Sequence, residues 1–95
     1  MKLSIIIPVF NEINYIEAYG NYIKIYTDKM ILVSETLSHF LEKLPSQFLR
    51  VHKSFILNFD KLKLIDGNRI TLLNDHKLSI GKSYRKDVLA KIDTI

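Results

Sequence analysis

Between Phe48 and Asn58 the sequence Phe-Leu-Arg-Val-His-Lys-Ser-Phe-Ile-Leu-Asn interleaves hydrogen-bonding side chains with apolar ones. Arg50, His52, Lys53, Ser54 and Asn58 cluster between Phe48, Val51, Phe55 and Ile56. Arg and Lys pair with phosphate oxygens, and Lys, His, Ser and Asn also reach the donors and acceptors of base edges. A short strand or loop of this composition holds an apolar anchor inside and offers several donors outside. The same residues equally fit a half-buried strand with a solvated face, so this stretch alone does not decide its use.

Two more clusters share the chemistry. Gly20-Asn21-Tyr22 interrupts an apolar run, and Gly20 tolerates positive φ, which places Asn21 at a loop apex between two aromatics. A mere bend with a solvated Asn fits there too. Gly81-Lys82-Ser83-Tyr84-Arg85-Lys86 is the third cluster. One basic strand is easily a solvated face, but three donor-rich clusters in one small domain favour a polyanionic partner. Charge agrees: residues 1–47 carry four Lys/Arg against five Asp/Glu, and residues 48–95 carry ten against five.

Catalysis finds little support. Glu12 and Glu17 have no matched acid nearby, and no Gly-rich phosphate loop is present. His39, His52 and His76 lie in unlike contexts without metal-ligand spacing, and His52 beside Ser54 does not make a triad. No catalytic residue, metal or cofactor is expected. The chain has no cysteine, hence no disulfide framework or thiolate site, and the run Ile5-Ile6-Ile7 is far too short to span a bilayer. These features fit a cytoplasmic protein, a single domain over residues 1–95 with 47% hydrophobic content.

The elements that must position the clusters are mostly strands. Leu3–Phe10 is apolar and β-branched, with Pro8 favouring an edge or a strand end. Ser4–Glu12 also resembles the opening strand of family 2 glycosyltransferases. Such a domain is much longer and carries an Asp-x-Asp motif that is absent here, so the likeness is set aside. Strands are expected over Ile13–Ala18, Tyr22–Thr27 and Met30–Val33, the second from its strict alternation. A helix of about two to three turns is expected over Ser34–Leu44, with Leu37, Phe40, Leu41 and Leu44 as its stripe. Ser34 is the expected N-cap, Glu35 and Lys43 suit the two ends of the dipole, Pro45 stops the helix, and His39 falls off the stripe. Asp66-Gly-Asn68 and Asn74-Asp-His76 divide residues 61–80 into a three-stranded meander with Lys61, Lys63, Arg69 and Lys77 on its polar side. A final helix over Tyr84–Ile92 turns Val88, Leu89 and Ile92 inward. The fold class is mainly β: small antiparallel sheets, one helix of two to three turns and a short C-terminal helix.

The succession Tyr15-Ile-Glu-Ala-Tyr-Gly-Asn-Tyr-Ile-Lys-Ile25, Leu44-Pro45, Phe48 to Asn58, and Leu78-Ser-Ile-Gly-Lys-Ser-Tyr-Arg85 resembles the LytTR DNA-binding domain, best over 11–95. The resemblance implies an elongated stack of antiparallel sheets that forms the output half of response regulators, behind a phosphorylatable receiver. No receiver fits in this sequence, and Met1–Phe10 is shorter than the family's opening strand pair. The implied function is sequence-specific double-stranded DNA binding for bacterial transcription regulation, with loops reading successive major grooves of a direct-repeat operator. Motif matching makes Asn21, His52, Lys53, Lys82 and Ser83 the candidates for base contact. Tyr22, Arg50, Ser54, Tyr84, Arg85 and Lys86 are the candidates for phosphate contact. Lys53 and Lys82 could touch only phosphate, and His52 could be a structural partner beneath its loop. The implied partners are a direct-repeat promoter site, a weak homodimer on DNA, and a receiver domain or sensor kinase in a longer regulator. The alternative is a non-catalytic β interaction module for an acidic protein or an anionic membrane surface.

Overall fold

The computed structural model describes residues 10–93, so the strand expected over Leu3–Phe10 lies outside the described residues except for Phe10. Phe10 opens a short 3-10 turn, Phe10–Glu12. Strands follow at Tyr15–Tyr19 (β1), Tyr22–Tyr26 (β2) and Met30–Val33 (β3), then a helix at Leu37–Leu41 (α1). Phe48–His52 (β4) and Phe55–Asn58 (β5) form a hairpin, and Leu62–Asp66 (β6), Arg69–Leu72 (β7) and Lys77–Ser79 (β8) form the expected meander. A helix at Arg85–Asp93 (α2) closes the described chain. The fold is mainly β and elongated, with extents of 47 × 24 × 21 Å.

A five-stranded antiparallel sheet, ordered β3-β2-β1-β5-β4, forms the middle layer. Alternation along its strands sorts side chains onto two faces. Ile16, Ile23, Ile25 and Ile56, all 0% exposed, join Val33 and Phe48 beneath Leu37 and Phe40 of α1. The opposite face presents Tyr15, Val51 and Leu57 to Ile70, Leu72 and Leu78 of the three-stranded sheet and to Val88 of α2. Each such aliphatic side chain contributes about 1.5–3 kcal/mol by leaving water, so two thin cores together hold three layers. Tyr15 ties the second core together, stacking on Tyr26 at 4.4 Å and on His76 at 4.8 Å between ring centroids. Burial, with Tyr26 and Glu17 beside it, pushes its hydroxyl well above the usual tyrosine range.

The first helix is shorter than its apolar stripe predicts. Ser34 does not cap it; Thr36 does, its hydroxyl accepting from the His39 N–H at 3.2 Å. Ser34 and Glu35 are used to turn out of β3, where Glu35 N–H donates to Val33 O, so helical geometry begins only at Leu37. The Lys43 and Leu44 N–H groups then reach back three residues, to Phe40 O and Leu41 O, and Pro45 follows. Glu35 serves instead as an anchor, accepting from Lys43 Nζ at 3.0 Å and lying 2.7 Å from His39 Nδ1. Partial desolvation acts to raise its pKa, but hydrogen bonds from Lys43 and His39 prevail and hold the carboxyl below its usual range.

Two further expectations are corrected. Residues 48–58 are not one strand or loop but two strands joined by Lys53-Ser54, with a register shift between Arg50 and His52. Leu89 does not turn inward; it is 45% exposed, while Val88 is buried and Ile92 half-buried. Before that helix, Lys82–Tyr84 forms a 3-10 turn, so regular α geometry starts at Arg85 rather than Tyr84.

Candidate nucleic-acid interface

Backbone hydrogen bonds bring the donor-rich clusters to one end of the strands. β1 and β2 are joined by Gly20-Asn21, with Tyr19 opposite Tyr22. Gly20 has φ +60 and Asn21 does not have positive φ, the sign pattern of a II′ hairpin turn, which leaves Asn21 exposed at the apex. The Ala18 N–H donates to Ser54 O at 2.8 Å, seating the Lys53-Ser54 turn beside the first. The Gly81 N–H donates to Val51 O at 2.7 Å, laying the third cluster along β4. Three turns far apart in sequence thereby stand in a row.

Gly81 is required by a close approach, its φ of −69 being ordinary. A Cβ there would stand 2.9 Å from Tyr84 Cδ2 and 3.2 Å from His52 Cα. The crossing leaves a recess of about 540 Å3 between the second and third turns, lined by His52, Lys53, Gly81, Lys82, Ser83 and Tyr84. Lys53, Lys82 and Ser83 are exposed around it. Lys53, Lys82 and Lys86 form no ion pair among the described residues. None of the three turns contains an acidic residue.

The other candidates differ in how they are held. His52 is half-buried, its ring lies tilted at 43° against Phe55 with centroids 5.1 Å apart, and its Nδ1 accepts from the Ser54 N–H at 3.1 Å. Because Nδ1 accepts, the proton of the neutral ring is on Nε2. Arg50 is bound within the molecule: Nη1 donates to Ser38 Oγ on α1 at 3.0 Å and Nη2 to Lys53 O at 2.6 Å, with Tyr84 5.9 Å away. Its Nε is buried and has no hydrogen-bond partner among the described residues. Arg85 Nη1 donates to Gly67 O at 3.0 Å and to Asn68 Oδ1. Ser54 and Tyr84 are half-buried, whereas Lys86 is fully on the surface. Tyr22 is 45% exposed beside Tyr19 at 57%, over whose ring the Lys24 ammonium sits at 3.9 Å. Asn58, grouped by sequence with the donors of its stretch, is wholly buried instead. It donates to Ile13 O at 2.8 Å and accepts from Asp60 N–H at 2.9 Å.

A fourth turn reaches the same end. Ile80 N–H donates to Asn68 O at 2.7 Å, so the β6–β7 turn Gly67-Asn68 adjoins the third cluster. In the sequence Asp66-Gly-Asn68 signals a hairpin and nothing more; the bonds from Ile80 and Arg85, twelve or more residues away in sequence, show where the turn stands. Among the described residues no group of three or more His, Asp or Glu could hold a metal, and no helix is long and apolar enough to cross a membrane.

A search of curated proteins finds no significant match. Among solved structures, the chain is similar to the LytTr DNA-binding domain of a protein described as a methyl-accepting/DNA response regulator from Bacillus cereus. The TM-score is 0.79 at 27% identity, over 86% of this chain and 83% of that one. The profile of the LytTr DNA-binding domain family matches residues 4–93, reaching further toward the N-terminus than the motifs alone. The chain belongs to the LytTr DNA-binding domain family.

Proposed function

We propose that this domain binds double-stranded DNA sequence-specifically in bacterial transcription regulation, its turns entering successive major grooves of a direct-repeat operator. The observation that carries the reading is the row of three acid-free turns offering Asn21, Lys53, and Lys82 with Ser83 from one end of the strands. Asn is suited to adenine N6 and N7, Lys to guanine O6 and N7, and Ser to either. Lys86, Tyr22, Ser54 and Tyr84 flank them and serve the phosphates. Arg50 acts through the second turn, which it holds by the Lys53 carbonyl while keeping contact with α1. His52 acts similarly, its ring supporting the Ser54 N–H from beneath.

Two copies occupy the repeat as a weak homodimer on DNA, about 10 base pairs apart so that both face one side of the duplex. A receiver domain or a sensor kinase supplies the input where the domain is part of a longer regulator, and the setting is the cytoplasm. Selection of bound sites from a random duplex pool tests this reading. Enrichment of a repeated motif with one-turn spacing is expected, and recovery of unrelated sequences at equal affinity overturns sequence-specific binding.

A second reading draws on the half of the central sheet that no described element covers, where Tyr19, Tyr22, Met30 and Leu32 are exposed beside β3, an edge strand among the described residues. Such a face, with the basic residues nearby, fits an interaction module for an acidic protein or an anionic membrane. A band-shift titration on random DNA separates the two: a module of that kind leaves the duplex unshifted.

A further inference from the structure

The third and fourth turns enclose a second recess, of about 470 Å3, lined by Gly67, Asn68, Ile80, Lys82 and Arg85. No carboxylate is among them. A guanidinium only donates, so the Asn68 atom facing Arg85 is the oxygen, and the amide nitrogen is turned away with both hydrogens. Arg85 retains N–H groups beyond the one engaged with Gly67 and Asn68, and neither it nor Lys82 has an acidic partner among the described residues. Gly67, at φ +62 with open space beside it, lets a ligand approach the turn's backbone closely. A recess whose lining has two cations and no carboxylate, and whose Gly67 and Asn68 oxygens already accept from Arg85, fits an anion. Beside a duplex-binding edge, that anion is a phosphodiester oxygen.

We propose that the β6–β7 turn is a fourth DNA-contact element, in which Asn68, Arg85 and Lys82 hold one backbone phosphate just outside the stretch read by the first three turns. Arg85 is then a strut as well as a ligand: it sets the Asn68 amide so that nitrogen, not oxygen, meets the phosphate. Lys82 lines both recesses and stands between the base-reading turns and the flanking phosphate. The inference rests on the reading of this edge as the duplex-binding face.

The test uses a duplex carrying the selected site, a random duplex, and single methylphosphonate replacements that neutralise one phosphate at a time. Asn68→Asp keeps the oxygen that Arg85 needs and puts a second, negative oxygen where the amide nitrogen stood. It is expected to weaken selected and random duplexes alike, by about tenfold, and to flatten the log–log salt slope by about one. One flanking methylphosphonate that weakens the wild type should leave Asn68→Asp unaffected. Asn74→Asp, at the other end of the three-stranded sheet, makes the same change of net charge and should bind as the wild type. The inference is overturned if Asn68→Asp binds normally, if Asn74→Asp loses as much, or if every methylphosphonate position adds its full effect to Asn68→Asp. A wild-type chain that binds no duplex overturns the reading of the whole edge, and this inference with it.

Discussion

Where β2 turns into β3, Thr27 Oγ1 accepts from the Lys29 N–H at 3.0 Å and bonds Asp28 at 3.1 Å. At the same end, Asn58 caps Asp60, Asn74 Oδ1 accepts from the His76 N–H at 2.9 Å, and Lys63 reaches Asp75 at 2.8 Å. Asp75 even adopts φ 70, a left-handed conformation that Asp tolerates better than most residues. These turns close on themselves, and each carries an acid. At the opposite end the side chains at the apices, Asn21, Lys53 and Lys82, have no such partner among the described residues, while Arg50 and Arg85 supply the bonds that hold the turn backbones. The difference teaches what makes an edge available to a ligand. Donors stay free only where other residues take over the stabilisation of the turns that carry them.

The sharpest way to break this comparison is to move a turn rather than strip its side chain. Gly81→Ala forces Tyr84 and His52 apart, since the added methyl has 2.9 Å and 3.2 Å to its neighbours. Overpacking of this kind costs about 1–3 kcal/mol of folding stability. Because the second and third turns shift together, binding to selected and random duplexes should fall further than any single donor removal makes it fall. Chemical unfolding and anisotropy titration on one preparation check this. Full binding by a destabilised variant would show that the crossing does not set the turns.

Donor removal comes next in size. Asn21→Ala or Lys53→Ala is expected to cost about 1–3 kcal/mol on the selected site and far less on random DNA. Equal losses on both duplexes would make these residues positioning contacts and remove the contrast between apices and struts. Folding should be nearly untouched, since both residues are exposed.

Salt dependence sharpens the comparison between the two ends. With about four to six phosphate contacts, the log–log slope of affinity against salt should be roughly −4 to −5. Lys86→Ala should flatten it by about one. Lys61→Ala, at the closed end, changes net charge identically and should leave the slope alone. If the two variants behave the same, the domain attracts DNA by net charge and not by one edge.

Much of this division was legible in the sequence, because it follows from local pattern. The alternation of Ile23 and Ile25 with Lys24 marked a half-buried strand, and Gly20 marked the turn that lifts Asn21. Asp66-Gly-Asn68 marked the meander. Long-range contacts account for what was not legible. Lys53-Ser54 lacks the Gly, Asn or Pro of a typical hairpin turn, and its geometry comes from His52 Nδ1 and from Ala18 on a strand remote in sequence. The helix is shortened by the demands of leaving β3, which its apolar stripe cannot reveal. Sequence marks Arg50 and Arg85 as cations for phosphate, but nothing local shows the carbonyls that they also hold.

The smallest expected effect isolates the closed end. A hydrogen bond from Lys63, with the Lys63 charge beside it, holds the Asp75 carboxyl below its usual range. A carboxyl whose folded pKa is depressed contributes stability that is present above its unfolded pKa and is lost as pH falls through the folded value. Lys63→Ala should therefore lower stability slightly near neutral pH, because the pair is exposed and its attraction is screened by water. The loss should shrink to nothing once acid protonates Asp75 in both proteins. A deficit that persists into acid would mean that Lys63 stabilises through its aliphatic stem against the sheet, not through the ion pair. DNA binding supplies the other half of the comparison: Lys63→Ala should leave the salt slope at the wild-type value, since its ammonium is committed to an acid at the end opposite the proposed interface. A flattened slope would place Lys63 among the phosphate contacts and extend the interface along the three-stranded sheet.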